Sequence, residues 1–384
     1  MSMITASRVL RARSLRGPIA AAVALLVVTA CGGGQPPVAA SPATATPAAA
    51  ASKQYFAGDT LFPDLKGQEI TVMGNGGAVQ DQQFRALQKE FAEKTGLKIN
   101  QVNPVNFTKI QAEVESGNVS TDLVNTQNSV TVPNCGVLWE KTPEINRSLL
   151  LPQAVTDECA VSIGIVSYIF TYNKNVFGSN PPTSWVDFFD VKKYPGKRAV
   201  WSSINTAPYE IALLADGVAP SQLYPIDFDR ALRKWATIRD QLVPFPNLGT
   251  ASEQMVAQAA PLMAVNGNRT IIALQQNAPY GAVWAQPIGT FASYSIVKGS
   301  KNKFAAQALL QYMATAKPQQ EYAILNGVGP VAKGAELPTD PIFRANSPSL
   351  PENLKNTVFQ DARWWTKERF DIGTSRWAAF LAGG

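Results

Sequence analysis

The side chains able to do chemistry inform first by what is missing. No histidine occurs in the 384 residues. Without an imidazole to take a nucleophile's proton, Ser-His and Cys-His mechanisms are excluded, and so are His-based zinc and non-haem iron centres. Ser295-Ile296-Val297-Lys298 has the S-x-x-K spacing of penicillin-recognising serine enzymes. That chemistry needs the serine to open a helix. This segment reads instead as a strand running into the turn Lys298-Gly299-Ser300, and no S-D-N companion is present, so the match is accidental. Carboxylate-only glycoside hydrolysis survives the loss of histidine, but no acidic pair has a special claim to it. Arg269 can hold a carboxylate bidentately or pair with a structural acid. Gln127, Asn128 and Ser129 offer neutral hydrogen bonds to a ligand or cap a turn. Asn75 and Gly76 lie in the turn Gly74–Gly77, which either lets a ligand approach backbone N–H groups or is simply tight. It is no G-x-G-x-x-G and no P-loop lysine follows, so a nucleotide site is not expected. Trp201, Tyr209 and Tyr294 are aromatic faces for an amine or core residues.

The elements that must position these groups alternate. Glu69–Met73 reads as a strand, and Phe84, Leu87, Phe91 and Ala92 recur at helical spacing with Gly96 as a stop. Residues 97–102 return as a strand, 110–114 as helix and 122–124 as strand. The pattern repeats around 197–201, 207–216 and 260–265. This argues for an open, mostly parallel α/β sheet. The apolar, aromatic-rich strands 168–172 and 291–297 lie between the two blocks and read as crossovers. Helices are expected over 304–315 and 319–326, with a helical tail over 353–377.

The amino terminus carries Arg8, Arg11, Arg13 and Arg16 without an acid, then the apolar run Pro18 to Val28, then Val28-Thr29-Ala30-Cys31. A charged end, a short apolar stretch and small residues before the cut make a secretory signal; a spanning helix needs roughly 20 apolar residues. The cysteine after the cut resembles the bacterial lipobox, with Val28 in place of the more usual Leu. Residues 1–30 are therefore read as a lipoprotein signal peptide and Cys31 as the lipidated residue. Residues 31–52, rich in Ala and Pro, form a spacer off the membrane. Loss of the signal removes those four arginines and no acid, so the formal charge falls from +6 to +2. A nearly balanced surface argues against nucleic acid as a partner. Cys135 and Cys159 remain. In an oxidising compartment they are expected to form a disulfide worth roughly 3 kcal/mol, with free buried thiols or a redox pair as alternatives.

The segment Pro182-Thr183-Ser184-Trp185-Val186-Asp187-Phe188-Phe189-Asp190-Val191-Lys192-Lys193-Tyr194-Pro195-Gly196-Lys197-Arg198 resembles a block that opens the second lobe of the polyamine-type substrate-binding proteins of ABC importers. Similarity continues through Ala212–Pro220, Asn266-Gly267-Asn268-Arg269, Lys298–Lys303 and Pro351–Asn356. The cysteine pair is also similar to one carried by a branch of that family. The resemblance implies a two-lobed, type II periplasmic-binding-protein-like α/β fold with two crossover strands. It places lobe one at 53–163 plus 297–384 and lobe two at 164–296. It implies solute held in the cleft, with Glu210 at the position of an acidic amine ligand; the candidate ligand-binding residues are Asn75, Gly76, Gln127, Asn128, Ser129, Glu210, Asn266, Arg269 and Tyr294. Ala207, Val265, Thr290 and Ala292 replace the acids and tryptophans usual at such sites. A small amine-containing, polyamine-like solute is the leading expectation; a zwitterionic or anionic solute, such as an opine or amino-acid derivative, is the alternative. Ferric binding through Tyr168 and Tyr172, a secreted hydrolase and an adhesion protein rank lower. The expected protein is a monomer and no enzyme, needs no cofactor or metal, and is tethered to the outer face of the cytoplasmic membrane beside its permease.

Overall fold

The computed structural model describes residues 61–245 and 250–383. The signal segment, Cys31, the spacer and the first residues of the expected lobe one lie outside the described residues.

Nine strands are defined among them: β1 (Glu69–Met73), β2 (Lys98–Val102), β3 (Leu123–Gln127), β4 (Ala160–Asn173), β5 (Arg198–Trp201), β6 (Leu242–Phe245), β7 (Leu262–Asn266), β8 (Tyr280–Ile296) and β9 (Val358–Phe359). Their order is β2-β1-β3-β8-β4-β7-β5-β6, with β9 on β8. β1 is parallel to β2 and β3, and β5 is parallel to β6 and β7. The long strands β4 and β8 run antiparallel to each other between the two parallel blocks.

Period-two alternation explains the layers. In β3, Leu123 joins one core with Ile70, Val72, Phe91 and Leu309, while Val124 joins a second core with Met73, Ile110 and Trp139. In β7, Leu262 and Ala264 face a third core with Phe170, Tyr209 and Trp235, while Met263 and Val265 face a fourth with Met255 and Tyr280. Each block thus has apolar residues on both faces, as a parallel sheet covered on both sides requires. The result is two α/β lobes joined by β4 and β8.

Two expectations change. The tail is not one helix: it runs as a helix at Pro351–Asn356, strand β9, and a helix at Lys367–Leu381. The tail also divides between two cores: Leu354 and Phe359 pack against the core that holds Leu309, whereas Trp365, Trp377 and Phe380 are buried in the core that holds Trp235. The division at residue 297 therefore does not follow the packing at the carboxyl end. β9 returns the chain to β8 at Ile288 and Gly289, and the helix after it covers the second lobe.

Cys135 and Cys159 are disulfide-bonded across a separation of 24 residues. Cys135 follows the Asn128–Asn134 helix, and Cys159 directly precedes β4. The bond pins a helix that begins at the cleft to the start of a crossover strand. Reduction is expected to lower stability by about 3 kcal/mol through regained unfolded-chain entropy. Thermal melts with and without a thiol reductant read this directly. Coincident melts, with both thiols proven free after reduction, would show that the bond adds nothing.

Candidate functional site

Strand register places the cleft. The last residue of β3, Gln127, is level with Ala292 of β8, which in turn faces Gly164 of β4. The last residue of β7, Asn266, is level with Tyr168 of β4. The carboxyl ends of the two parallel blocks therefore meet across the four-residue step from Gly164 to Tyr168, about 13 Å at the usual rise. Ligands in open α/β sheets bind outside the carboxyl ends of strands. Here both sets of ends open onto one place.

The first lobe contributes a rim of neutral amides and hydroxyls. Gly76 sits at φ 80° directly before the Gly77–Leu87 helix, and a Cβ there would come within 3.2 Å of Asn103. The site thus demands glycine. Gly76 N donates to Gln80 Oε1 at 2.9 Å. Asn75 Nδ2 donates to Asn125 Oδ1 at 2.8 Å, and Asn125 Nδ2 donates to the Ser293 carbonyl at 3.1 Å. Ser293 Oγ is 3.1 Å from Asn128 Oδ1. Gln127 and Ser129 are half-buried beside them. The structure thus gathers Asn75, Gly76, Gln127, Asn128 and Ser129 at one rim.

The second lobe contributes the Gly267–Gln275 helix, whose start lies against Ser167. A Cβ on Gly267 would meet Trp284 Cη2 at 3.0 Å, with the Ser167 carbonyl 3.8 Å away. Asn266 is the N-cap residue, yet its side chain makes no capping bond. Ser167 Oγ, Asn266 Oδ1, Asn268 Oδ1 and Arg269 Nε are buried without hydrogen-bond partners, a concentration that native interiors avoid. Burial lowers the Arg269 pKa, with Tyr322 of the first lobe acting in the opposite sense. Among the described residues no carboxylate pairs with it. Asn268 Nδ2 donates to Asn326 Oδ1 at 3.2 Å, so the lobes touch beside this helix.

Two expected residues lie elsewhere. Tyr294 is 1% exposed in the first core, where its hydroxyl donates to Gln83 Oε1 at 3.0 Å. Glu210 is fully buried; its Oε1 accepts from Tyr224 at 2.8 Å, Trp365 Nε1 at 2.9 Å and Gln360 Nε2 at 3.1 Å. Its Oε1 joins the Pro208–Ala215 helix to the returning tail, while its Oε2 is buried without a hydrogen-bond partner. Tyr209 is buried as well, donating to the Gly373 carbonyl, and Trp201 packs on the fourth core. Tyr168, half of the tyrosine pair considered for ferric iron, is buried, and burial plus Glu210 raise its pKa. That opposes the tyrosinate such a site needs. Ser167, whose buried hydroxyl has no partner, was not among the expected residues, since a lone serine in an apolar strand carries no local signal.

The sequence profile of the bacterial extracellular solute-binding protein family matches residues 86–350. The chain belongs to this family. Within it, the chain is similar to a gamma-aminobutyric acid-binding protein of Pseudomonas aeruginosa, at 27% identity over 330 residues, covering 82% of this chain and 92% of the relative. Among solved structures it is similar to the Atu4243–GABA receptor at 30% identity and TM-score 0.76, covering 83% of this chain and 98% of the other. It is also similar to an ABC transporter substrate-binding protein from Bradyrhizobium japonicum USDA 110, at 29% identity and TM-score 0.73, covering 82% and 100%. These likenesses give the family member the periplasmic-binding-protein fold. It is a transport substrate-binding protein and not an enzyme. They do not single out polyamines, the solute class that leads in the sequence reading.

Proposed function

We propose that this protein is the extracytoplasmic substrate-binding component of an ABC importer, tethered through Cys31, and that its solute is a small zwitterion of the amino-acid type. The relatives named for gamma-aminobutyric acid support that class. The carrying observation is electrostatic. The first turns of the Gly77–Leu87, Asn128–Asn134 and Gly267–Gln275 helices, which start at the cleft, hold no acid. Glu210 in the Pro208–Ala215 helix is closed off. Helix amino ends favour negative charge, and a buried guanidinium without an acid does so strongly. A polyamine brings only positive charge to such a place; a zwitterion brings the carboxylate that Arg269 lacks.

Calorimetric and thermal-shift titration against gamma-aminobutyrate, other amino acids and opines, putrescine and spermidine tests this. Zwitterions are expected to stabilise the protein, by about 2.7 kcal/mol at a hundredfold excess over Kd, with no response to the two polyamines. Stabilisation by spermidine alone would restore the polyamine reading. Silence across the whole panel with folded protein would reject solute capture of this class.

A further inference from the structure

We infer that Tyr322 is a solute donor supplied by the first lobe, its hydroxyl proton turned toward the second lobe by a buried chain of amides; this rests on the zwitterion reading above. The chain starts at the cleft rim. Gly76 N donates to Gln80 Oε1 at 2.9 Å, and Gln80 Nε2 donates to Gln101 Oε1 at 2.8 Å. Gln101 Nε2 donates to Gln88 Oε1 at 2.6 Å, and Gln88 Nε2 to the Tyr294 hydroxyl at 3.4 Å. Tyr294 donates to Gln83 Oε1 at 3.0 Å, and Gln83 Nε2 donates to the Tyr322 hydroxyl at 3.2 Å. The direction of this chain is fixed at its first link. A backbone N–H can only donate, so Gln80 turns its carbonyl to Gly76 and its amide hydrogens inward. Gln101 and then Gln88 must present oxygen in turn. The Tyr294 hydroxyl accepts from Gln88, so its own proton goes to Gln83, which has only its amide hydrogens left for Tyr322. The Tyr322 oxygen is thus supplied from inside the lobe, and among the described residues no acceptor takes its proton. Tyr322 is 2% exposed, and a buried donor left unspent costs desolvation.

The surroundings of Tyr322 place that proton at the second lobe. Tyr322 lies one turn before Asn326 on the Ala316–Asn326 helix, so the two share a face. Asn326 Oδ1 accepts from Asn268 of the second lobe at 3.2 Å, and its Nδ2 donates to Gln82 Oε1 at 2.7 Å. A Cβ on Gly327 would lie 3.2–3.3 Å from Ile271 and Asn268. This end of the first-lobe helix therefore stands against the Gly267–Gln275 helix. Burial pushes the Tyr322 pKa up to about 12, against the Gln83 bond and the Arg269 charge. The phenol is neutral at physiological pH and keeps its proton. With its oxygen already supplied by Gln83, the hydroxyl offers the cleft a donor. A carboxylate oxygen takes that bond; an ammonium has no acceptor to offer. The same wall that serves a zwitterion has nothing for a polyamine. Tyr294 acts here as a positioning residue, which meets no solute but passes the direction of the chain to Gln83.

The test titrates gamma-aminobutyrate at pH 9 into wild type, Tyr322→Phe, Gln83→Glu and the double variant, with calorimetry giving the four affinities. Phenylalanine keeps the ring and removes the proton, and affinity is expected to fall about tenfold. Gln83→Glu is close to isosteric. Its carboxylate, held ionised at that pH by two phenol donors, accepts from Tyr322 and turns the proton inward. It is expected to lose about tenfold as well, and to cost nothing further once Tyr322 is replaced by phenylalanine. If wild type binds and Tyr322→Phe binds equally well, the donor is overturned while the zwitterion reading stands. A Gln83→Glu loss that persists undiminished in the double variant is charge repulsion alone and overturns the role of the chain. A Gln83→Glu variant that binds like wild type overturns it too. Silence of wild type toward gamma-aminobutyrate and every other zwitterion rejects both readings.

Discussion

Replacing Arg198 by methionine is expected to lower unfolding free energy by about 4 kcal/mol, because several buried carbonyls lose their donor at once. Arg198 is 0% exposed and, among the described residues, pairs with no carboxylate. Its Nε donates to the Phe188 carbonyl at 3.0 Å, its Nη1 to Gly196 at 2.6 Å, and its Nη2 to Asp190 and Tyr194. One guanidinium thus closes the loop between the Trp185–Phe189 helix and β5. Burial drops its pKa to about 10, so it remains charged at neutral pH and its donors stay available. Part of the loss is offset by no longer burying a charge, which holds the figure near 4 rather than higher. Against a typical total of about 5–15 kcal/mol, that leaves little margin at physiological temperature. Urea unfolding gives the answer. A midpoint within experimental error of wild type would show that the four carbonyls find other donors. Any folded fraction should bind solute normally, since the loop lies away from the strand ends that open onto the cleft.

The second large effect belongs to Glu210. Replacement by leucine is expected to cost about 3–5 kcal/mol, the scale for breaking a buried polar network from one side. It strands the Tyr224 hydroxyl, the Trp365 indole N–H and the Gln360 amide. Glutamine keeps an acceptor at the Oε1 position and should cost only about 1–2 kcal/mol. Because Gln360 and Trp365 lie on the returning tail, faster amide exchange should appear first over residues 360–381. The same pair of variants separates two roles. An amine ligand at Glu210 predicts that glutamine abolishes solute affinity with stability intact. The observed hydrogen bonds predict the reverse: glutamine keeps affinity and leucine loses the fold.

Arg198 and Glu210 show where sequence reading stops. Both sit in stretches legible by resemblance: the block ending at Arg198 was recognisable, and Glu210 occupied a position associated with amine binding. Resemblance carries position but not burial. An arginine inside four carbonyls and an arginine whose buried Nε has no partner, Arg269, are the same letter in the chain. The parallel strands were more legible. Glu69–Met73 was read at its observed bounds and β2, β3, β5 and β7 within a few residues, because alternation between two cores is written in period two; β6 was not read. Ser295 also falls in a strand, as its setting predicted, so no acylating serine-lysine pair forms. The broken carboxyl tail was less legible, because β9 has two residues and owes its place to β8. Tyr294 read as an available aromatic face, yet its strand neighbours carry it into the first core.

The sequence by itself determined the chemistry this protein lacks, the alternation of strand and helix, and the presence of two crossovers, though only over 168–172 and 291–297 of the longer strands observed. Those are local properties: residue type and spacing along one element decide them. Only the tertiary structure decided that Gln127 and Asn266 face each other across the middle of β4, since register between strands is set by pairing far along the chain. It also decided which polar groups are satisfied and which are not. Ser167, Asn266 and Arg269 come from β4, the end of β7 and the following helix, and their unpaired atoms exist only once those elements pack. A hydrogen bond that is missing is a property of the assembled interior, and no single segment carries it.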